Sequence, residues 1–268
     1  MTDSLSIVIP AYNEARCIEA SLVEVMRFAR AYGGPSEVIV VDDGSSDETA
    51  SIVAGVQARR AADDPALNLI RHPVNRGKGA GIRTGFAHAT GDIVLFTDAD
   101  LSAPMTEAPR LLEPVAQGRC EIAIGSRALD PSLIAVRQSP LRRASGRVFN
   151  WLARLLTGLN IRDTQCGFKA FRRAAIAPAL NLQRIDGFAF DVELLYLASR
   201  LGLRIFEVPV RWADVPDTKV SLLTHSPKMF FELCGIRWRS WRGAYPRPGA
   251  AIRRAPRSVA ASAVETPL

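Results

Sequence analysis

The chain has 268 residues, 48% hydrophobic and 23% charged, with a net charge of +7, a composition that implies a folded protein of one large α/β domain or two small ones. No run of 18 apolar residues occurs, which argues against a transmembrane helix, and Met1-Thr2-Asp3-Ser4 leads into a strand without the basic segment of a signal peptide. Four widely spaced cysteines (Cys17, Cys120, Cys166, Cys234) read as reduced thiols of a cytosolic protein, and three histidines (His72, His88, His225) disfavour a zinc site or a Ser-His-Asp triad.

Strand one is predicted at Leu5–Pro10, followed by a helix over 14–31 with Ile18, Leu22, Val25, Met26 and Ala29 at helical spacing. Glu37–Val41 is strand two, and Ser46 should cap a helix over 47–60. Asn68–Arg71 is strand three, 79–89 a helix, and Asp92–Phe96 the fourth strand. Glu121–Arg127 makes a fifth strand, and Arg204–Val210 another whose Pro209 suggests a sheet edge. Strands alternating with helices imply an α/β, Rossmann-like, mostly parallel sheet flanked by helices.

The basic charge is regional. Six arginines and no acid lie between Pro131 and Arg162, and 226–268 holds eight basic and two acidic residues. Such segments favour a polyanion: nucleic acid, a membrane surface or a phosphate-bearing substrate.

Chemistry-bearing residues collect at the predicted strand ends: Pro10-Ala11-Tyr12-Asn13-Glu14, Asp42-Asp43-Gly44-Ser45, Asn75-Arg76-Gly77-Lys78-Gly79 and Thr97-Asp98-Ala99-Asp100. Open α/β sheets bind ligands at the carboxyl ends of their strands. Two carboxylates one residue apart repel each other when bare, and a hard divalent cation, Mg²⁺ or Mn²⁺, relieves the repulsion while gripping a diphosphate. No Gly-x-Gly-x-x-Gly follows strand one and no Walker loop is present, which disfavours a nicotinamide or P-loop site.

These four motifs, together with Asp163-Thr164-Gln165-Cys166-Gly167-Phe168-Lys169 and Gly187-Phe188-Ala189-Phe190-Asp191-Val192-Glu193, resemble the inverting GT-A glycosyltransferases, and within them the dolichyl-phosphate β-glucosyltransferase-like branch. The resemblance covers about residues 5–222. It implies a GT-A fold, with metal-dependent transfer of a sugar, most simply glucose, from a UDP-sugar to a polyprenyl phosphate. In its terms Tyr12 and Asp43 hold the uracil, and Pro10, Ala11 and Glu14 belong to the same donor loop. Asp42 bonds the ribose or braces the loop, and Arg76 and Lys78 approach the diphosphate. Asp98 faces the ribose, Ala99 belongs to the donor site, Asp98 and Asp100 ligate the metal, and Arg127 and Lys219 steady phosphates. Asp191, near the acceptor, is a positioning residue, a base or a helix N-cap; an ionised lipid phosphate needs no base.

Residues 142–159 are amphipathic, with Val148, Leu152, Leu155 and Leu159 on one face and Arg143, Arg147, Asn150 and Arg154 on another. Such a helix suits a core face or a membrane interface, and Arg142, Arg143 and Arg147 would hold a prenyl phosphate. A second basic, aromatic segment lies at 226–241. The expected organisation is a GT-A domain over 1–222, an amphipathic basic helix over 223–245 and a disordered tail over 246–268. Peripheral binding at the inner, cytoplasmic face of an anionic membrane follows, with no nucleic acid as partner. GDP-mannose as donor, a non-lipid acceptor, or an idle membrane- or nucleic-acid-binding module are the alternatives.

Overall fold

The computed structural model describes residues 2–136, 139–214 and 222–247. In chain order the elements are β1 (Leu5–Ala11), α1 (Ile18–Ala31), β2 (Ser36–Asp42), α2 (Thr49–Ala58), β3 (Ala66–Arg71), α3 (Lys78–His88), β4 (Ile93–Thr97), α4 (Ala108–Ala116) and β5 (Ile122–Ser126). They continue with β6 (Ile134–Val136), α5 (Pro140–Thr157), β7 (Phe168–Arg172), α6 (Arg173–Leu182), α7 (Phe190–Arg200), β8 (Ile205–Pro209), β9 (Trp212–Ala213) and α8 (Leu222–Trp241).

Seven strands form one sheet in the order β3-β2-β1-β4-β7-β5-β8. Its hydrophobic alternation sorts the core into two layers. Ile7, Ile9, Val38, Val40 and Leu95 pack with Ile18, Leu22, Leu111 and Val115 of α1 and α4, while Val8, Ile39, Val94 and Phe96 pack with Ile82, Ile176, Leu195 and Leu197 of α3, α6 and α7. The strand order turns back between β1 and β4, which is the switch point where open α/β sheets place their ligands.

β7 departs from the pattern expected of alternating strands and helices. It runs antiparallel to both β4 and β5, so Phe168 pairs with Thr97 and its first residue lies at the carboxyl end of β4. That reversal delivers the Cys166-Gly167 turn to the site. The strand with Pro209 does close the sheet at its edge.

Ser46 does not cap α2, which begins at Thr49 without a side-chain cap. Its N–H and hydroxyl donate instead to the Asn13 side-chain oxygen, tying the β2 loop to the β1 loop. Asn13 sits in the left-handed region, which asparagine tolerates better than most residues.

α5 splits its apolar stripe. Ala153 is buried and Phe149, Leu152 and Leu156 pack on the core, whereas Val148, Trp151 (60% exposed) and Leu155 face outward beside exposed Arg143, Arg147 and Arg154. Asn150 leaves the arginine face and accepts from the Thr164 hydroxyl at 2.9 Å. α8 packs on α5 and α7, burying Leu233 and Ile236 and exposing Phe231, Trp238 and Trp241 (83% exposed). Among the described residues, no helix is long and apolar enough to cross a membrane. Pro246, the first residue assigned to the tail, accepts through its carbonyl from Arg200 Nε at 2.6 Å; 248–268 lie outside the described residues.

Candidate active site

A cleft of about 650 Å³ opens at the switch point, lined by the loops after β1, β2 and β4, by the loop entering α3, and by α8. Pro10, Ala11, Tyr12, Glu14, Asp43, Lys78, Asp98, Ala99 and Asp100 all line it. The strand-end residues expected to bind a donor are thereby brought together.

Asp43 organises the first part of the cleft. Its Oδ1 accepts from the Arg76 N–H at 3.0 Å and lies 2.6 Å from His72 Nδ1, and its Oδ2 accepts from the Gly77 N–H at 2.7 Å. A carboxylate oxygen has about two acceptor sites, so Oδ2 keeps one for a ligand. Tyr12, 40% exposed, lines the same cleft. Asp42 is fully buried and accepts from the Ser45 N–H and from Arg71 Nε, so it braces the loop. The side chain of Arg76 is exposed, and its backbone N–H is what joins the site.

The second part is a chain of charges around Phe96. Lys78 Nζ lies 2.6 Å from Asp98 Oδ1 and 5.4 Å from the Phe96 ring centre. Burial works against the ammonium, but Asp98 and Asp191 outweigh it and hold Lys78 above its ordinary pKa. Asp100 accepts from the Ser102 N–H at 3.0 Å. Burial, then the negative charge of Asp98, pushes its carboxyl above the usual range. A divalent cation would relieve that penalty. Among the described residues, no group of three or more His, Cys, Asp or Glu could hold a metal. Asp98 and Asp100, one residue apart in the cleft, would be the donors, and two carboxylates with open positions suit an ion that completes its shell with water and phosphate oxygens. Leu101, beside them, is held at φ 47°, strain of a kind that collects at binding sites.

Gly167 sets the position of Asp98. The Asp98 N–H donates to the Gly167 carbonyl at 3.1 Å, and a Cβ on Gly167 would fall 1.9 Å from Asp98 Oδ2. Gly77, at φ +100°, makes a similar close approach to the Asp186 carbonyl, fixing the turn that precedes Lys78.

Asp191 sits behind this charge chain and does not line the cleft. It is the second residue of α7, whose N-cap is Ala189, so the cap reading is replaced by an ion pair: Lys169 Nζ lies 2.6 Å from Asp191 Oδ1. Lys169, 1% exposed, also donates to the Cys166 carbonyl at 2.6 Å, joining α7 to the Gly167 turn. Burial holds the Asp191 carboxyl above its usual range, against the pull of Lys169 and Lys78. Burial also pushes the Cys166 thiol up to about 12, which leaves it inert as a nucleophile.

Arg127 points elsewhere. Its guanidinium makes a two-pronged pair with Asp163 at 2.7 and 2.8 Å and covers the Trp212 ring. Arg143 and Arg147 stand exposed on α5; the side chain of Arg142 and all of Lys219 lie outside the described residues. The wall missed in the sequence is Lys228, Met229 and Glu232 of α8, which faces the cleft together with Gly187 and Phe188 of the motif before α7. A signal was present: Glu232 is the single acid in α8.

The protein is a glycosyltransferase with a GT-A-like fold. The chain belongs to glycosyl transferase family 2, whose profile matches residues 6–178. It is 34% identical over 254 residues to the dolichyl-phosphate beta-glucosyltransferase of Saccharomyces cerevisiae, covering 90% of this chain and 76% of that protein. The Drosophila melanogaster enzyme of the same name is 39% identical over 229 residues, with 81% and 69% covered. Glycosyltransferase AglD of Haloferax volcanii is 36% identical over 237 residues, 88% of this chain and 37% of that one. Among solved structures, Mycobacterium tuberculosis glucosyl-3-phosphoglycerate synthase with Mn²⁺, UDP and glucosyl-3-phosphoglycerate superposes with a TM-score of 0.63 at 21% identity, covering 90% and 80%. At that identity the likeness establishes the fold.

Proposed function

We propose that the chain transfers glucose from UDP-glucose to a polyprenyl phosphate, inverting the anomeric centre, with Mg²⁺ or Mn²⁺ held by Asp98 and Asp100. The observation that carries this reading is the sharing of one cleft, at the switch point of the sheet, by that carboxylate pair, Lys78, Asp43 and Tyr12. The dolichyl-phosphate beta-glucosyltransferases among its relatives support the acceptor and the sugar, and the Mn²⁺ and UDP bound by its neighbour in fold support the donor and the ion.

Tyr12 packs against the uracil and the remaining acceptor site of Asp43 Oδ2 takes its imide N–H. Lys78 neutralises the diphosphate, already aligned by its pair with Asp98. When bound, the ion supplies Lewis-acid stabilisation of the departing nucleoside diphosphate. The lipid phosphate attacks as an ionised oxygen, so no residue has to remove a proton, which suits an Asp191 committed to Lys169. Arg143 and Arg147 meet the acceptor phosphate or the surface that presents it.

The exposed Val148, Trp151 and Leu155 of α5 and Phe231, Trp238 and Trp241 of α8 flank arginines, a combination suited to peripheral binding at an anionic bilayer. Flotation with anionic vesicles should be strong at low salt and weak at high salt; salt-independent absence of binding would remove the membrane from the reading.

The transfer itself is tested with purified protein, Mn²⁺ or Mg²⁺, labelled UDP-glucose, UDP-galactose or GDP-mannose, and a short polyprenyl phosphate. Lipid-linked label from UDP-glucose is expected. Product from GDP-mannose alone, or transfer only to a non-lipid acceptor, would replace this reading.

A further inference from the structure

The cleft has three chemically distinct stretches. Tyr12, Glu14 and Asp43 form one, and Lys78, Asp98 and Asp100 a second; the third is Gly187, Phe188 and the α8 side chains Lys228, Met229 and Glu232. If the base and diphosphate of a nucleotide sugar take the first two, the third faces what remains, the transferred hexose.

Glu232 is the group with unused capacity there. Its Oε2 accepts from the Ala189 N–H at 3.3 Å, a long bond, and its Oε1 has no hydrogen-bond partner among the described residues. Burial raises its carboxyl above the ordinary value, although Lys228 one turn earlier opposes the shift; hydrogen-bond donors from a ligand would offset that desolvation. A carboxylate repels a phosphate but accepts from hydroxyls, two at once when they are vicinal. Gly187 leaves room for it, since a Cβ there would meet Glu232 Oε1 at 2.5 Å. α8 also lies beyond residues 6–178, the stretch matched by the family profile.

We propose that Glu232 binds hydroxyls of the transferred hexose and is a determinant of sugar choice. This rests on the donor reading above. A residue that discriminates this way contributes to binding of the intact nucleotide sugar and nothing to binding of the nucleotide alone.

The test is calorimetric titration of the full chain with UDP, UDP-glucose and UDP-galactose in Mn²⁺, for the unsubstituted protein, Glu232→Ala and Glu232→Gln. UDP affinity should stay within about twofold in both variants, while Glu232→Ala weakens UDP-glucose by about 10- to 100-fold, the range for a lost hydrogen bond to a charged group, and narrows the gap between the two sugars. Glu232→Gln, which can still accept from Ala189, should fall between. Equal weakening of UDP and UDP-glucose would reduce Glu232 to a brace for α7, and unchanged UDP-glucose binding would remove it from the sugar site; either overturns the inference and leaves the donor reading intact. Failure of the unsubstituted protein to bind UDP would overturn the donor reading, and this inference with it.

Discussion

The two walls of the cleft are built differently. On the sheet wall almost every polar atom is committed: Asp43 holds two backbone N–H groups and His72, Asp98 is fixed by Gly167 and Lys78, and Lys169 ties the Gly167 turn to Asp191. The α8 wall holds Glu232 by one 3.3 Å bond and offers the flexible side chains of Lys228 and Met229. The two walls divide the labour: a preorganised wall suits the charge that develops at a diphosphate, where misplacement is costly, and a looser wall suits recognition of a sugar and an acceptor.

Asp100 carries the largest expected effect. Asp100→Asn should lower transfer about a thousandfold or more, the scale of losing a metal's stabilisation of the leaving group, with the circular dichroism spectrum unchanged; residual activity near the original level would detach the carboxylate pair from catalysis. Lys169→Met comes next. Stranding Asp191 in the interior should cost about 3–5 kcal/mol in urea unfolding, whereas Lys169→Met combined with Asp191→Leu should recover most of it. If the double variant is stable and inactive, Asp191 has a part in the chemistry beyond its pairing. Gly167→Ala, which drives a methyl into Asp98, should reduce kcat about a hundredfold with little change in folding. No effect on kcat would show that the turn does not position Asp98.

The smallest effect is in acid. Asp163 is held below its ordinary value because Arg127 outweighs the effect of burial. A carboxyl depressed in the folded state contributes stability above its unfolded value, 3.8, and loses it as pH falls through the folded value. Unfolding midpoints, followed by tryptophan fluorescence from pH 6 downward, should therefore fall below about pH 4. In Arg127→Met that acid-side loss should shrink while the midpoint at pH 6 also falls. An unchanged acid profile would mean that the pair does not govern the titration.

Much of the sheet wall was legible in the sequence, because β1, β2 and β4 are short apolar runs followed by Tyr12-Asn13, by Asp43 and by Asp98, and cleft residues sit in those closures. β7 was not, since Phe168-Lys169-Ala170-Phe171-Arg172 places a lysine where a buried strand needs an apolar side chain, and only Asp191 and the Cys166 carbonyl make that burial tolerable. The capture of Arg127 by Asp163 was hidden for the same reason: the partner lies 36 residues on and meets it only through the fold. The α8 wall was obscured by its own composition. Phe231, Trp238 and Trp241 beside Arg237 and Arg239 read as a surface for lipid, and the helix does expose aromatics; that Met229 and Glu232 turn toward the cleft depends on how α8 packs against α5 and α7.

A metal-dependent nucleotide-sugar site at the end of β4 is tested by titrating UDP into the protein with and without Mn²⁺. UDP binding that requires Mn²⁺ and disappears in Asp100→Ala is the predicted result. UDP binding of equal strength without the ion, or undiminished in Asp100→Ala, would contradict it.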